Sequence, residues 1–419
     1  MGVRAVAMAL RFGTVCLLPL WLEPSEIGYM ALILAMVNLP AAFCDLGLGT
    51  ALVREKDVPP RMLDTVHTAV AASSTVIAAA LIAAAPLVES AFGLPRPYAM
   101  AAAFAVPFHA LAIVPNAILQ RDLRFHGLAL RDLVGEVAFS ASAIAIAAAG
   151  CGALSIVAAV LLHRIVRWAA ASLTVSWHPR LVLCTADLRR LASFSLYQCA
   201  SLSLTQLFYQ IDKLLLAAYL TPGALGLYAQ AQQITAAPVQ SLSNTAKNVF
   251  FASFAKIQND EETLRTLFSR IVKGYLIAAG AAVAVATPAV HLVPLVYSES
   301  WRAVVPIATT LCLFLPAFCA FLFEGIMIAI GGERRRVAST AIQCAILVAG
   351  IVGLFALFPE YGGPVAVALV LGVATTVPAI INYHFIARRL RIRHAQFLPH
   401  LLAAIAMAAA GIALSWFLR

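Results

Sequence analysis

The sequence predicts an all-α integral membrane protein, because it is too apolar and carries too few charges for other fold classes. Hydrophobic residues make up 62% of the 419 residues and charged residues only 11%, whereas soluble domains carry about 25% charged residues. Stretches of about 20 mostly apolar residues, the length that spans a bilayer, recur along the whole chain. Soluble enzymes, secreted disulfide scaffolds and disordered proteins are therefore excluded.

About thirteen transmembrane helices are expected from these stretches. The first is interpreted as a true span and not as a signal peptide, because Arg11 interrupts it and no small-residue cleavage site follows. The thirteen stretches lie near residues 5–22, 28–53, 66–88, 98–119, 128–150, 153–175, 191–220, 226–251, 271–296, 303–331, 337–358, 362–386 and 397–417.

The distribution of basic residues supports this number of spans. If the N-terminus is cytoplasmic, 23 of the 29 Lys and Arg residues fall on the inner side, Arg131, Arg164 and Arg167 among them. Three fall on the outer side, including Arg419, and three fall within spans. This agrees with the positive-inside rule. The net charge of +10 is therefore attributed to clusters that face anionic lipid, and no nucleic-acid partner is predicted.

Neither a metal nor another cofactor is predicted, and the chain is not expected to be an enzyme. The eight cysteines lie mostly in apolar runs, and none has the CxxC spacing of a zinc site. The loops between the spans are all short. A membrane-embedded acyl- or glycosyltransferase normally needs a longer extramembrane segment, so the function is expected to lie within the membrane.

An internal repeat predicts two similarly oriented halves. The pattern L-x-P-x-x-[IL]-G occurs at residues 22–28 and again at 220–226, an offset of 198 residues. Six spans separate the copies, so the halves would be related by a pseudo-twofold axis along the membrane normal, as in many transporters. The predicted domains are an N-terminal six-helix lobe (1–180), a C-terminal six-helix lobe (181–390) and an extra C-terminal helix (391–419).

The eighth predicted span carries a polar stripe. Its members recur every three or four residues and therefore share one helix face. Such a face would line the bundle interior or a water-filled path, where amides suit sugar hydroxyls; interhelical hydrogen bonding is the alternative interpretation. The members are Gln230, Gln233, Gln240, Asn244 and Lys247.

Charged side chains within spans are costly and mark candidate functional sites. Arg11, Lys213 and Lys247 could bind an anionic group such as a phosphate. Snorkelling to the interface is the alternative for the basic residues, and snorkelling or helix capping for Asp45 and Asp212. The acidic candidates for ion or proton coupling are Asp45, Asp212 and Glu324.

Several segments resemble those of bacterial oligosaccharide flippases. The chain is similar to the polysaccharide transporter branch of the multidrug/oligosaccharidyl-lipid/polysaccharide exporter superfamily, especially to Wzx-type flippases of the colanic-acid-exporter-like group. The segments that carry the resemblance are residues 45–49, 119–125, 211–213, 226–231 and 254–260, and Trp301 with Pro306.

The resemblance implies two lobes around a central cavity in the bacterial inner membrane. It implies alternating-access translocation of an undecaprenyl-pyrophosphate-linked sugar repeat unit for exopolysaccharide or lipopolysaccharide biosynthesis, with a polysaccharide polymerase as a candidate partner. The basic candidates would then screen the pyrophosphate, and the amide stripe would contact sugar. Two alternatives stay open: a multidrug or cation antiporter of the same superfamily, and a non-transporting, degenerate membrane assembly factor.

Overall fold

Helices occur at all thirteen places where spans are predicted. The computed structural model describes the backbone of residues 2–257 and 260–417. Residues 258–259 of the flippase-like segment and Arg419 lie outside the described residues, as do some helical side chains, that of Asn244 among them. The α-helices of the described residues are α1 (Gly2–Leu17), α2 (Pro24–Cys44), α3 (Leu48–Arg54), α4 (Pro60–Phe92), α5 (Arg96–Ala103), α6 (Ala105–Leu111), α7 (Ile113–Arg121), α8 (Phe125–Ala148), α9 (Leu154–Leu173), α10 (Thr185–Tyr219), α11 (Pro222–Lys256), α12 (Glu261–Val290), α13 (Val293–Val296), α14 (Val304–Leu313), α15 (Leu315–Cys319), α16 (Leu322–Ala329), α17 (Glu333–Leu357), α18 (Pro364–Arg389) and α19 (Leu398–Phe417).

The chain is an all-α, multi-pass membrane protein. Eight helical segments of the described residues are long and apolar enough to cross a membrane. A ninth span results if the pair Glu299–Leu313 and Leu315–Ala329, bent by 58°, crosses as one. The remaining predicted spans correspond to α1, which is short, and to α8, α10 and α11, in which charged or amide side chains lower the hydropathy.

Four predicted spans are interrupted rather than continuous, one of them at residues 291–292, between α12 and α13. A turn at residues 45–47 separates α2 from α3. The helices α5, α6 and α7 are separated at Phe104 and Ala112, each three residues before a proline, Pro107 and Pro115. A proline lacks the backbone N–H and its ring clashes with the preceding turn. The fourth interrupted span is divided into α14, α15 and α16.

The structure divides into two compact units, Met1–Gly226 and Leu227–Arg419. In the first unit, α8 packs along α9 and α1, while α10 packs on α2 and α3. In the second unit, α12 packs along α19 and α17 along α18. Because α10 packs within the first unit, the boundary between the compact units follows residue 226. The boundary between the predicted lobes follows residue 180. The lobes at 1–180 and 181–390, which describe transport halves, stay a prediction.

The two copies of the repeated L-x-P-x-x-[IL]-G motif pack against each other within the first unit. A Cβ atom on Gly28 would lie 1.9 Å from the carbonyl oxygen of Pro222, and one on Gly226 would lie 1.7 Å from that of Pro24. Real Cβ atoms do not approach other atoms so closely, so the helix backbones meet at this distance only because both residues are glycines. The repeated glycine therefore has a packing role that is the same in both copies.

Candidate functional site

A cluster of charged side chains lies inside the first unit, among α1, α6, α8 and α9. We call it the arginine cluster; it is defined by its ionisable members. The spacing of Asp132 and Glu136 on α8, and of His163 and Arg167 on α9, places each pair on one helix face. Its members are Arg11, His109, Arg131, Asp132, Glu136, His163, Arg164 and Arg167.

Glu136 joins three helices at one end of the arginine cluster. Its carboxylate accepts from Arg11 of α1 at 3.2 Å, and its other oxygen lies 3.4 Å from Nε2 of His163 on α9. The guanidinium of Arg11 also lies 4.3 Å from the ring centroid of Phe139, in cation–π geometry. Arg11, predicted to be a candidate for binding an anion, is therefore matched by a carboxylate.

Asp132 accepts hydrogen bonds from two arginines at the other end of the arginine cluster. Arg167 of α9 donates to its Oδ1 at 2.8 Å, and the neighbouring Arg131 also contacts this oxygen and that of Asn116. The stem of Arg167 passes over Gly135, where a Cβ atom would lie 2.4 Å from its Cγ. A glycine at this position thus allows α9 to bring its arginine against α8.

Arg164 has no carboxylate among its described partners. Its two terminal nitrogens donate to neutral groups, to Nδ1 of His109 at 2.7 Å and to Oδ1 of Asn38 at 2.6 Å. Its Nε atom is buried, and no acceptor for it occurs among the described residues. Four guanidinium groups therefore share two carboxylates in the arginine cluster.

The predicted candidates Asp212 and Lys213 form an ion pair with each other. Asp212 is 1% exposed, and both of its carboxylate oxygens lie 2.9 Å from Nζ of Lys213. Lys213 also donates to the carbonyl oxygen of Tyr209 at 3.0 Å. The side chain of Asp45 lies apart from this pair and accepts from the backbone N–H of Gly49 at 2.8 Å, so it caps the start of α3.

In the second unit, Lys247 and Glu324 form a third ion pair. Nζ of Lys247 lies 3.4 Å from Oε2 of Glu324 on α16. A Cβ atom on Gly325 would lie 2.3 Å from the carbonyl oxygen of Lys247, so the two helices cross closely here. On the same face of α11, Gln230 is fully buried and Gln233 and Gln240 are half-buried.

The sequence interpretation missed half of the arginine cluster, including its three arginines on α8 and α9. It assigned Arg131, Arg164 and Arg167 to inner loops, and the placement in loops was wrong; their position on the inner side stays a prediction. All three lie within α8 and α9, and Arg131 is only 9% exposed. The spacing of ionisable residues by three or four positions within two apolar stretches was the signal that could have identified them.

Comparison with known proteins places the chain among polysaccharide biosynthesis proteins. Residues 19–306 match the family described as "Polysaccharide biosynthesis protein". The teichuronic acid biosynthesis protein TuaB of Bacillus subtilis is 25% identical over 64% of this chain and 57% of its own length. The lipopolysaccharide biosynthesis protein WzxC of Escherichia coli is 21% identical over 70% and 60%. The chain thus spans a little over half the length of these relatives.

Solved structures share the fold. The lipid II flippase MurJ in an inward closed conformation superposes with a TM-score of 0.80 at 13% identity, covering 99% of this chain and 96% of that protein. An inward-facing multidrug resistance MATE family transporter of the MOP superfamily gives 0.71 at 18% identity, covering 91% and 94%. The family match extends over more than half of the residues and agrees with the resemblance seen in the sequence. The chain therefore belongs to the polysaccharide biosynthesis protein family.

Proposed function

We propose that this protein is a flippase that moves a lipid-linked sugar repeat unit across the bacterial inner membrane by alternating access. The observation that carries the proposal is the match to the polysaccharide biosynthesis family over residues 19–306 of a multi-pass membrane chain. The relatives are named for teichuronic acid, lipopolysaccharide and succinoglycan biosynthesis, the last as a transport protein from Rhizobium meliloti. The product would be an exopolysaccharide or lipopolysaccharide.

The architecture supports transport within the membrane. The longest segment between described helices is residues 174–184, which is too short to form a separate catalytic domain. The excess of guanidinium groups over carboxylates in the arginine cluster disfavours a cationic cargo and suits an anionic one. The substrate of the proposal is an undecaprenyl-pyrophosphate-linked oligosaccharide, whose tail stays in lipid while the headgroup crosses.

In this proposal, the polar and acidic candidates from the sequence have separate roles in sugar binding and in ion coupling. The amides of Gln230, Gln233 and Gln240, which line one face of α11, contact sugar hydroxyls. Coupling to an ion or a proton acts through Asp212 or Glu324, which the structure pairs with lysines, or through Asp45. The N-terminus is cytoplasmic, and a polysaccharide polymerase receives the product on the outer side.

The sidedness of the lipid-linked repeat unit in a deletion strain tests the proposal. A membrane-impermeant glycan-labelling reagent is applied to intact spheroplasts, with lysed spheroplasts as the measure of total repeat unit. The deletion strain is expected to hold the repeat unit on the cytoplasmic leaflet, and complementation is expected to return the label to the outer leaflet. Outer-leaflet labelling equal to wild type in the deletion strain would contradict the proposal.

A further inference from the structure

The predicted basic candidates are already matched by carboxylates. Arg11 pairs with Glu136, Lys213 with Asp212, and Lys247 with Glu324. A lysine or arginine held in such a pair would have to leave its carboxylate before it could neutralise a second anion. The uncompensated positive charge of the described spans therefore has to be sought elsewhere.

The arginine cluster of the first unit carries such charge, and Arg164 is the arginine of the cluster that has no carboxylate among its described partners. With Glu136 matched to Arg11, the carboxylate of Asp132 has to serve Arg131, Arg164 and Arg167. Asp132 contacts Arg131 and Arg167, whereas the partners of Arg164 among the described residues are a histidine and an amide. A charge removed from water without a counterion costs far more free energy than one that is paired.

The guanidinium of Arg164 is held by two helices and keeps one buried N–H without an acceptor in the described part of the chain. Asn38 and His109 come from two different helices, α2 and α6, and hold both terminal nitrogens of the guanidinium. The orientation of the side chain is thereby set, while its buried Nε has no acceptor among the residues that the structure describes. Arg164 and Arg167 are three residues apart on α9, so their side chains leave the helix on the same face.

We propose that Arg164, with Arg167 and Arg131, forms a binding site for a phosphate-class dianion. Two excess positive charges match such a group, and guanidinium groups bind phosphate oxygens with directed, charge-assisted hydrogen bonds. The inference rests on the proposed function in that the occupant during transport would be the diphosphate of the lipid-linked repeat unit. A free inorganic phosphate or pyrophosphate has the same chemistry, and the test separates the two.

The test measures binding to the full chain, purified and reconstituted in lipid nanodiscs. The probes are undecaprenyl pyrophosphate, inorganic pyrophosphate and, as the uncharged control, undecaprenol; the variant is Arg164→Gln. Wild-type protein is expected to bind undecaprenyl pyrophosphate and not undecaprenol, and Arg164→Gln is expected to bind it about ten- to a hundredfold more weakly, the range of one lost charge-assisted contact. The matched control is Arg189→Gln, which removes an equal charge from an exposed residue and is expected to bind as wild type.

Thermal unfolding without any probe separates a binding role from a structural one. Because Arg164 is an uncompensated charge, Arg164→Gln is expected to unfold at a temperature equal to or above that of wild type. Equal affinity of Arg164→Gln and wild type for undecaprenyl pyrophosphate would overturn the site while the proposed function stands. Binding of inorganic pyrophosphate in preference to the lipid would support the site and contradict the lipid as its occupant. If wild type binds neither probe, the site is refuted, and the spheroplast experiment decides the proposed function independently.

Discussion

The helix pairs α8–α9 and α17–α18 occupy equivalent places in the predicted repeat, yet their interiors differ in charge. The first pair carries all but two members of the arginine cluster. The second pair carries no Asp, Glu, Lys or Arg in residues 337–357 or 364–387. Its buried polar side chains are neutral and include Gln343, Thr375 and Asn382.

The difference shows that buried polar side chains can bond either within their own helix or to side chains of several other helices. Thr375 donates to the carbonyl oxygen of Leu371 in its own helix, at 3.0 Å, and so needs no second helix. Glu136 takes its partners from α1 and α9. Buried ion pairs add little net stability compared with apolar packing, so the charges between α8 and α9, which α17 and α18 do not share along residues 337–357 and 364–387, favour a role in binding.

Replacing Glu136 by Gln is expected to have the largest effect, because it leaves Arg11 without a carboxylate in the membrane interior. The free energy of unfolding is expected to fall by about 3 kcal/mol, measured by thermal or chemical unfolding of the purified protein in detergent. Adding Arg11→Met to the same chain is expected to restore part of this loss, since it removes the unpaired charge. Unchanged stability of Glu136→Gln would show that the charges of the first unit do not hold its helices together.

The repeat itself can be tested at its glycine contact with Gly226→Ala. The added Cβ would overlap the carbonyl oxygen of Pro24, so the α2 and α11 backbones must move apart, at a cost of about 2 kcal/mol. Gly223→Ala is the control from the same copy of the motif, because nothing lies within 4 Å of its Cβ position. Equal unfolding temperatures for the two variants would contradict the close crossing.

Thr375→Val is expected to have the smallest effect. The substitution keeps the shape of the side chain and removes a hydroxyl that bonds only within its own helix, so the free energy of unfolding is expected to change by less than about 1 kcal/mol. The measurement is the same unfolding experiment that is used for Glu136→Gln. A loss as large as for that variant would mean that both units depend equally on their polar interiors.

The sequence predicted the helices well and the candidate site only in part. The positions of the spans follow from the apolar runs, and the structure confirms a helix at each of these positions. The sequence marked Pro107 and Pro115 as possible helix breaks but could not decide between a break and a tolerated proline, because a proline in a membrane span can bend a helix or be tolerated according to its neighbours. In the arginine cluster, Arg11 was identified as a candidate, but Arg164 was attributed to a loop. Outside it, Lys247 and Glu324 were identified separately, and the structure shows that they pair.

Composition was enough to establish that this chain is a multi-pass helical membrane protein, because lipid offers no partners to the backbone and only helices or closed barrels satisfy it. Local spacing was enough to place polar residues on helix faces. Neither could show which charges meet, since the partners of Glu136 lie 125 and 27 positions away along the chain. Packing of separate helices brings them together, and it therefore decides that Arg11 is matched and that Arg164 has no carboxylate partner among the described residues.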